Sequence, residues 1–499
     1  MSLDPKWIPM TWPCGPLEKA RRNKSPSANI GLNETLEAWS RPAALDLLKG
    51  TPVNCLIVAW ADGKPEDSIQ QQALTPLLEA GRRLGISFVG KITMKESAGD
   101  VGPAIAAGRA AGLSAVMLGD SSGPSYDLPV ILQFSQDKVA WEKASPIFSS
   151  TGNVWPGLRL ETMQGDTGLA GPTGVPWVDS NGWFSLLAYE LTAGKALWLD
   201  CEPPASSSAS HPSNYSLAIA DSRAYGSRWI ISLDDTLRAA VVKTDSPAME
   251  VWDKLCETLA FFERHQEWQA FKSQGALAVV SDFRGDNRSL GQEVLNLLNR
   301  RQVQFLIIER ARALSAALDG LKAILWLDQE APDAEQRSKL LAFARHGGLV
   351  IAAAYWGPPE VKAIKQDAYP GYRVYNVDEG LIAVAEGGFQ DPYQVAMDAQ
   401  LLVSRRNDLV RLYNPASTNC RSSIDPSSGK RLVQVLNYSV NPADFVTLWT
   451  NTRSQSARLW RPETRDPLPI QGAAATPGTD FGLPPISVYG ALEFEGTDL

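Results

Sequence analysis

The sequence predicts an α/β protein whose first half is a (β/α)8 barrel. Up to about residue 235, the chain contains eight short apolar segments with the length and composition of buried strands. Several of the intervening segments repeat apolar residues with the 3.6-residue period of a helix. Eight strands with interleaved helices over roughly 250 residues are typical of this barrel. An open doubly wound sheet would need an edge or a break, and the pattern shows neither.

The strands and helices of the barrel are predicted in alternation. The strand segments are residues 7–12, 53–60, 86–93, 114–118, 130–134, 153–160, 196–199 and 228–233. The helical segments are residues 32–48, 68–84, 101–111, 181–191 and 213–225. The stretch after the fourth strand, residues 120–128, is too short for a regular helix. An amphipathic helix over residues 249–271 closes the barrel, which we assign to residues 1–272.

Two smaller domains are predicted after the barrel. Residues 273–407 contain four buried-strand patterns, helical patterns and a hairpin, which together predict a flavodoxin-like three-layer α/β domain. In the hairpin, Gly380 is expected to supply the positive φ that a tight turn needs. Residues 408–499 alternate polar and apolar residues without helical periodicity and predict a C-terminal β-sandwich.

Composition restricts the partners of the protein. The formal charge of −8 and the scattered Lys and Arg residues argue against nucleic acid or an anionic membrane as the main partner. The sequence has no run of eighteen apolar residues that could span a bilayer. Sixteen Trp residues offer flat apolar faces that suit stacking on sugar rings, although most of them are expected to fill the core. A carbohydrate is therefore the expected ligand.

Metal and thiol chemistry are not indicated. The five Cys residues are widely spaced and include no Cys-x-x-Cys pair, so we expect neither a zinc site nor a disulfide framework. His211, His265 and His346 are too scattered for a usual transition-metal site. We expect no cofactor, with a carboxylate-only Mg or Ca site left open. The Met-Ser-Leu start is compatible with a removed N-terminal segment, so export and a cytoplasmic location both remain open.

The most informative motif is the segment 195–204, which reads Lys-Ala-Leu-Trp-Leu-Asp-Cys-Glu-Pro-Pro. Its apolar run ends in Asp200 and Glu202 and is stopped by two prolines. The period of two along a strand predicts that both carboxylates project to one side. Chemistry in parallel α/β proteins collects at the carboxyl ends of strands, so this pair is a candidate for catalysis. The alternative is a pair of acids that cap the next helix or form an ion pair with Arg159 or Lys91.

Residues at the ends of the other predicted strands should converge on the same pocket. Asp120 after the fourth strand and Asp234 after the eighth are further candidates for catalysis, but they could instead be a turn residue and a helix cap. Candidates for substrate binding are Trp12, Trp60, Asp62, Lys91, Trp155, Arg159, Glu161, Asp179 and Trp183. Asp179 could equally belong to the N-terminal cap of the helix that follows it.

A pocket rich in carboxylates and aromatic rings and poor in His suits glycoside hydrolysis. In that reaction a protonated acid assists the leaving oxygen while a carboxylate attacks the sugar or activates water. We therefore predict a glycoside hydrolase acting on an oligosaccharide or glycoside. Glu202 or Asp200 would be the nucleophile or base, and Asp120 or Asp234 the acid.

Two other functions remain open on the sequence. A catalytically silent carbohydrate-binding barrel would keep the Trp faces and lack the acid pair. Two pocket carboxyl groups roughly 5–5.5 Å or 6.5–9.5 Å apart would favour a hydrolase over that binder. A lyase or isomerase would instead use Lys91 or Lys95 to form a Schiff base.

The order of the three domains resembles that of the β-galactosidases in which a catalytic barrel is followed by an amidotransferase-like trimerisation domain and a small C-terminal β-domain. The resemblance covers almost the whole chain and implies a sugar-processing barrel. It implies a nucleophilic Glu at the end of the seventh strand, where Glu202 stands, and an acid in an Asn-Glu pair that ends the fourth. The fourth strand here ends in Leu118-Gly119-Asp120 and has no such pair.

The middle domain lacks the residues of an amidotransferase. That chemistry needs a nucleophilic Cys at a strand-to-helix elbow with a His partner. No Cys occurs between Cys256 and Cys420, and the apolar segment 349–354 is followed by Tyr-Trp-Gly. We therefore interpret this domain as a scaffold or assembly element, through which a homo-oligomer could form.

Overall fold

A computed structural model describes residues 3–22, 30–94, 100–119, 126–159, 177–204, 212–313, 318–356, 369–414 and 417–494. The chain divides into two compact units. The first unit comprises Met1–Gly157, Asp179–Asn181 and Thr192–Gln266. The second comprises Leu158–Val178, Gly182–Leu191 and Glu267–Leu499.

The barrel belongs to the first unit. Up to residue 266, the strands in the described part of the chain are β1 (Pro9–Thr11), β2 (Cys55–Ala61), β3 (Ser87–Ile92), β4 (Ala115–Gly119), β5 (Val130–Ser135), β6 (Ile147–Thr151), β7 (Gly157–Arg159), β8 (Trp177–Asp179), β9 (Ala196–Leu199) and β10 (Arg228–Trp229). All of them except β7 and β8, which pair with each other, form one parallel sheet in the order β1-β2-β3-β4-β5-β6-β9-β10. A parallel bridge between Met10 and Ile231 closes this sheet, and the Thr11 N–H donates to Ile231 O at 2.8 Å.

The predicted parallel barrel is confirmed, but its sixth strand was assigned to the wrong residues. We expected it at residues 153–160, whereas the structure has it at β6, and residues 157–159 belong to the separate β7–β8 pair. The second half of β6 is polar, because Ser149 and Ser150 are fully buried there. The continuous apolar run that marks a buried parallel strand is therefore missing.

The described residues up to 272 contain eight α-helices. They are α1 (Gly15–Arg22), α2 (Ile30–Trp39), α3 (Asp67–Arg83), α4 (Gly102–Ala111), α5 (Gly182–Leu191), α6 (Pro212–Ala224), α7 (Asp235–Val242) and α8 (Ser246–Arg264). The helix α5 is assigned to the second unit, and the other helices to the first. Of the helices that the structure describes, none is both long enough and apolar enough to cross a bilayer.

The second unit begins with a mixed α/β sheet. Its strands and helices follow β11 (Lys272–Ser273) in the order β12 (Leu277–Ser281), α9 (Asn287–Arg300), β13 (Phe305–Glu309), β14 (Ala323–Trp326), α10 (Ala334–Arg345), β15 (Leu349–Ala353), β16 (Tyr372–Val377), β17 (Gly380–Ala385) and α11 (Pro392–Val403). The sheet order is β13-β12-β14-β15-β17-β16, parallel except for the edge strand β16. On one face, Leu340 and Ala344 of α10 join the apolar core with Ala278, Val280 and Ile324.

The predicted hairpin is present as β16 and β17, with one detail changed. The positive φ falls on Asp378, at 52°, and not on Gly380. Asp is among the few L-residues that visit this region routinely, because its short side chain can form local hydrogen bonds. Gly380 is required for another reason, since a Cβ there would overlap the carbonyl oxygens of Ala344 and Gly348.

The end of the chain is an antiparallel β-sandwich, as predicted. Its strands are β18 (Val410–Tyr413), β19 (Thr418–Ile424), β20 (Arg431–Asn437), β21 (Thr447–Thr450), β22 (Ser456–Trp460), β23 (Leu468–Ala474), β24 (Thr479–Gly482) and β25 (Tyr489–Phe494). They form one apolar core, with β11 added at an edge of the sheet. The sequence patterns predict strands at residues 410–413, 431–438, 445–450, 456–461 and 486–494, and they miss β19, β23 and β24. In β19 the reason is polarity, because Asn419, Ser422 and Ser423 are buried in this strand.

Candidate active site

Polar side chains cover the apolar filling of the barrel at the carboxyl end of four strands. The interior residues Val89, Ile131, Ile147 and Trp198 belong to one buried cluster. Side chains two positions apart on a strand share a face. The residues two positions further on therefore also face the interior, and they are Lys91, Gln133, Ser149 and Asp200. In these four strands, the side chains that face the interior thus change from apolar to polar at the same height in the barrel.

Asp200 is the centre of this polar layer. Its Oδ2 accepts from Lys91 Nζ at 3.2 Å and from Gln133 Nε2 at 2.9 Å. Gln133 Nε2 also lies 3.4 Å from Ser149 Oγ. The side chains of Asp200 and Lys91 are 16% and 32% exposed, so a ligand can reach the pair. A carboxylate held by two donors suits stabilisation of positive charge or attack on carbon.

The backbone of Asp200 is held by the preceding strand. The Asp200 N–H donates to Ser150 O at 2.8 Å. Asn153 Nδ2 donates to Ser150 O at 2.5 Å and to Asp200 O at 3.3 Å, and the Cys201 thiol donates to Asn153 O at 3.3 Å. Burial, with the charges of Asp200 and Glu202, raises the pKa of Cys201 to about 12, which leaves this thiol unsuited to nucleophilic chemistry. Asn153 thus anchors the segment that carries the candidate carboxylates.

Glu202 lies beyond the end of the strand. The strand β9 ends at Leu199, and Glu202 is exposed where Asp200 is only partly so. The prediction that both carboxylates project to one side applies only within a regular strand, and Glu202 lies outside it. The ion pair with Lys91, which was the structural alternative for Asp200, is present.

Asp234 is the N-cap of α7. Its Oδ1 accepts from the Leu237 N–H at 3.0 Å, and its Oδ2 accepts from the Tyr215 hydroxyl at 2.7 Å. Burial, the hydrogen bond to Asp234 and the charge of that carboxylate together hold the pKa of Tyr215 above its usual range. Both oxygens of Asp234 are therefore engaged in structure, as the helix-cap alternative expected.

Trp12 and Trp60 are core residues and not stacking surfaces. Trp12 is 1% exposed, packs edge-on against Trp39 at 4.4 Å and donates to its carbonyl at 2.9 Å. Trp60 is fully buried and donates to Ala104 O at 2.9 Å. Because neither ring has an open face, neither can stack on a sugar. Position at a strand end predicted exposure, whereas in both cases the neighbouring helices cover the ring.

The other aromatic candidates differ from one another. Trp155 is half-buried and packs edge-on against Tyr215 and Trp229, with ring centroids 5.4 Å away in each case. Trp183 lies on α5, in the second unit, with its ring edge-on to Phe184 at 5.7 Å. Asp179 ends β8. The structure thus places Trp155 in an aromatic cluster of the barrel unit.

Asp62 is held in an ion-pair cluster after β2. Arg21 binds both of its carboxylate oxygens, and Lys64 Nζ lies 3.2 Å from Oδ2. Burial raises the pKa of Asp62, but the hydrogen bonds and charges of Arg21 and Lys64 outweigh it and the pKa lies below its usual range. Asp62 is therefore a carboxylate already neutralised by two cations.

The remaining candidates have no described side chain. Asp120, directly after β4, and Glu161 lie outside the described residues. Arg159 ends β7, which is not part of the barrel sheet, so it does not occupy the predicted end of the sixth barrel strand.

One group of carboxylates in the described part of the chain has the spacing of a metal site, and it lies in the second unit. It consists of Asp282, Asp328 and Glu330. Arg310 forms ion pairs with all three at 2.8–3.0 Å, so the chain supplies a cation of its own. Burial raises the pKa of Asp328 to about 6, with Asp282 adding to the effect and Ser281 and Arg310 opposing it.

The fold is similar to that of a solved α-L-fucosidase. The α-L-fucosidase isoenzyme 2 from Paenibacillus thiaminolyticus matches with a TM-score of 0.57 and 10% identity, over 92% of this chain and 96% of that one. β-Galactosidases from Bacillus circulans sp. alkalophilus and G. stearothermophilus have TM-scores of 0.37 and 0.36 and identities of 11% and 10%, over 87% of this chain and 68% of theirs. No protein-family model and no curated protein matches the sequence.

Sequence reasoning missed Gln133 and Asn153. Both are polar residues in or beside a strand, where composition alone suggests a solvent-facing position. A usable signal was present for Gln133, because it follows the interior residue Ile131 by two positions, as Lys91 follows Val89. Asn153 carries no such pattern, since it holds the backbone of a distant segment.

Proposed function

We propose that the protein is a glycoside hydrolase with its active site at the carboxyl end of the barrel, around Asp200. The observation that carries this proposal is the hydrogen bonding of the Asp200 carboxylate by Lys91 and Gln133, in a partly open position inside a barrel whose fold is similar to that of a solved α-L-fucosidase. Active sites of such barrels are built at this end from the residues that follow the strands. The ligand class is a carbohydrate.

In this proposal Asp200 faces the reacting carbon of the sugar. An oxocarbenium-like transition state carries positive charge, which a carboxylate stabilises or captures as a covalent intermediate. Lys91 and Gln133 hold the carboxylate in one orientation, so less ordering remains for the reaction step. Asn153 acts one step further away, through the backbone of Asp200.

A second carboxyl group must protonate the leaving oxygen. Glu202, exposed two residues after Asp200, and Asp120, directly after β4, are the proposed sources of that proton. If Glu202 is instead the nucleophile, as the resemblance to the β-galactosidases implies, Asp200 becomes the group that stabilises charge. Asp234 is not proposed, because both of its oxygens are engaged.

A carbohydrate-binding barrel without catalysis is the second proposal. In the described part of the chain, Asp200 is the one carboxylate that bonds to Lys91 or Gln133, which is what a binding site without an acid pair would show. The Schiff-base reaction is less favoured at Lys91, because its amine is engaged by Asp200. The other candidate, Lys95, lies outside the described residues. Borohydride trapping with carbonyl substrates tests it separately.

The test is a panel of aryl glycosides and oligosaccharides, assayed with the wild type and with Asp200→Asn, Glu202→Gln and the control Asp253→Asn, an exposed residue of α8. The panel begins with aryl α-L-fucosides, because the similar solved structure is named an α-L-fucosidase. We expect Asp200→Asn to lower kcat by roughly 1,000-fold or more, as loss of a covalent or charge-stabilising group does.

The controls separate the two proposals. The Asp253→Asn variant should keep full activity and the wild-type melting temperature. If Asp200→Asn keeps full activity, the assignment of the site is wrong. If no glycoside is cleaved but oligosaccharides bind by calorimetry and Asp200→Asn weakens that binding, the barrel is a binder.

A further inference from the structure

The segment that holds the backbone of Asp200 is itself fixed by a second asparagine. Asn181 Oδ1 accepts from the Val154 N–H at 3.1 Å, and Asn181 Nδ2 donates to Val154 O at 2.8 Å. The side-chain amide thus pairs with the backbone of Val154 as a neighbouring strand would. Asn181 directly precedes α5, a position from which side chains commonly cap a helix, but its amide is directed to Val154.

A carboxylate of α6 sets the orientation of that amide. Asp221 Oδ2 accepts from the Asn181 N–H at 3.0 Å and lies 3.5 Å from Asn181 Nδ2, and its Oδ1 accepts from the Ser180 hydroxyl at 2.6 Å. An ionised carboxylate accepts hydrogen bonds and does not donate them, so it favours the NH2 group of the amide on its side. The amide oxygen then faces the Val154 N–H. Rotated by half a turn, the amide would place its oxygen beside the carboxylate and its NH2 group beside a donor.

These polar groups are buried within the first unit. Asp221 and Asn181 are fully buried, Ser180 is 3% exposed and Asn153 is 8% exposed. An ionised carboxylate is costly to bury even when hydrogen bonds satisfy it, and apolar side chains would fill the same space without that cost. Buried polar networks whose hydrogen bonds are satisfied hold one defined geometry. The connection from Asp221 to Val154 is therefore suited to positioning.

The group to be positioned lies where the barrel strand ends. The strand β9 stops at Leu199, so the backbone of Asp200 leaves the regular pairing of the sheet. Asn153 Nδ2, 3.3 Å from Asp200 O, and the Cys201 thiol, 3.3 Å from Asn153 O, take the place of that pairing. The position of Asn153 thus determines where the Asp200 backbone lies.

We propose that Asn181 and Asp221 are positioning residues for the Asp200 carboxylate. The connection runs from α6 through Asn181 to the segment 153–154, and from there to the end of β9. Neither residue touches the substrate in this proposal. Their role rests on the proposed function, because Asp200 is the carboxylate proposed to face the sugar.

A matched pair of variants separates positioning from stability. Asn54 resembles Asn181, since its Oδ1 accepts from the Ile8 N–H at 2.7 Å and its Nδ2 lies 3.3 Å from Lys6 O. It directly precedes β2 and therefore lies at the end of the parallel barrel opposite to Asp200. Asn181→Ala and Asn54→Ala should both lower the melting temperature.

Steady-state kinetics should distinguish the two variants well below their melting temperatures, on the aryl glycoside that the wild type cleaves best. We expect Asn181→Ala to lower kcat by roughly 10- to 100-fold with KM nearly unchanged, because a displacement of about 1 Å misaligns a reacting group to this extent. Asn54→Ala should keep the wild-type kcat and KM.

Hydrogen exchange measured by mass spectrometry tests the same connection without a substrate. The Asp200 N–H donates to Ser150 O at 2.8 Å, and Asn181 does not bond to either residue. Exchange at the Asp200 amide should nevertheless be roughly 10-fold or more faster in Asn181→Ala, because loss of a buried hydrogen bond favours local opening. Asp221→Asn, which lets the amide rotate, should show the same direction, and Asn54→Ala should exchange at the wild-type rate.

The outcomes separate this role from the proposed function. An unchanged kcat or wild-type exchange at Asp200 in Asn181→Ala overturns the positioning role, as does an equal loss of kcat in Asn54→Ala. A change confined to KM also overturns it, since it would assign Asn181 to substrate binding. If the wild type cleaves no glycoside, the proposed function fails, and hydrogen exchange alone decides whether Asn181 and Asp221 hold the backbone of Asp200.

Discussion

The structural role of Asp234 can be tested without knowing a substrate. Replacement of Asp234 by Ala removes an N-cap acceptor, which costs about 1 kcal/mol. It also removes the acceptor of the buried Tyr215 hydroxyl, and hydrogen bonds to charged groups contribute about 1.5–3 kcal/mol. The sum, about 2.5–4 kcal/mol, corresponds to a fall in melting temperature of roughly 5–15 °C for a domain of this size.

The assay is thermal unfolding of three variants followed by circular dichroism. Asp234→Asn keeps an acceptor oxygen and should lose less stability than Asp234→Ala. Asp235→Ala is the control, because it lies in the same turn, is 48% exposed and forms an ion pair within one helix, which contributes about 0.3–0.5 kcal/mol. The reasoning is refuted if Asp234→Ala melts within about 1 °C of the wild type, or if Asp235→Ala is equally destabilised.

Three further predictions concern other parts of the molecule. Because burial raises the pKa of Asp328 to about 6, from 3.8, the stability contributed by its protonated form is fully present below pH 3.8 and is lost as the pH rises through 6. Asp328 should therefore contribute about 3 kcal/mol less to the free energy of unfolding at pH 7.5 than below pH 3.8, which urea unfolding measures. The Asp328→Asn variant should lack this part of the pH dependence, and a pH profile identical to that of the wild type would contradict the prediction. Gly380→Ala should destabilise the second unit severely through overlap with two carbonyl oxygens, whereas Gly387→Ala, where a Cβ meets nothing within 4 Å, should melt like the wild type. Cys201, with a pKa near 12, should react with iodoacetamide at pH 8 at least roughly 100-fold more slowly than a free thiol in peptide mass spectrometry, and fast labelling would contradict its buried environment.

Patterns of apolar residues located most strands of the barrel because parallel strands are buried on both faces. The same reasoning failed where a buried strand is polar. The second half of β6 contains the buried residues Ser149 and Ser150, and β19 contains four buried polar residues, Thr418, Asn419, Ser422 and Ser423. Such residues resemble a surface segment until the partners that satisfy them are known. Strand pairing and burial, which join distant parts of the chain, supply that information.

The residues of the candidate site also fall into two groups, those that local sequence patterns predict and those that only contacts in space identify. Asp200 and Lys91 were predicted as candidates because Asp200 follows the apolar run 196–199 and Lys91 lies near the carboxyl end of the predicted strand 86–93. Gln133 and Asn153 were missed, since their roles depend on distances across the barrel. Trp12 and Trp60 follow the same strand-end rule as Asp200, yet both are covered by helices. Position along a strand does not specify which side chains a helix will cover.

The sequence by itself determined the kind of fold, and it predicted Asp200 and Glu202 as a pair of candidate carboxylates at the end of a barrel strand. These features follow from local order, because hydrophobic periodicity and strand-end acids are properties of neighbouring residues. Only the tertiary structure decided that Lys91 and Gln133 hold Asp200, that Asp234 caps a helix, and that two of the predicted Trp platforms are core. Each of these outcomes depends on groups that are far apart in the chain and adjacent in space, and hydrogen bonding and burial act over distance in space.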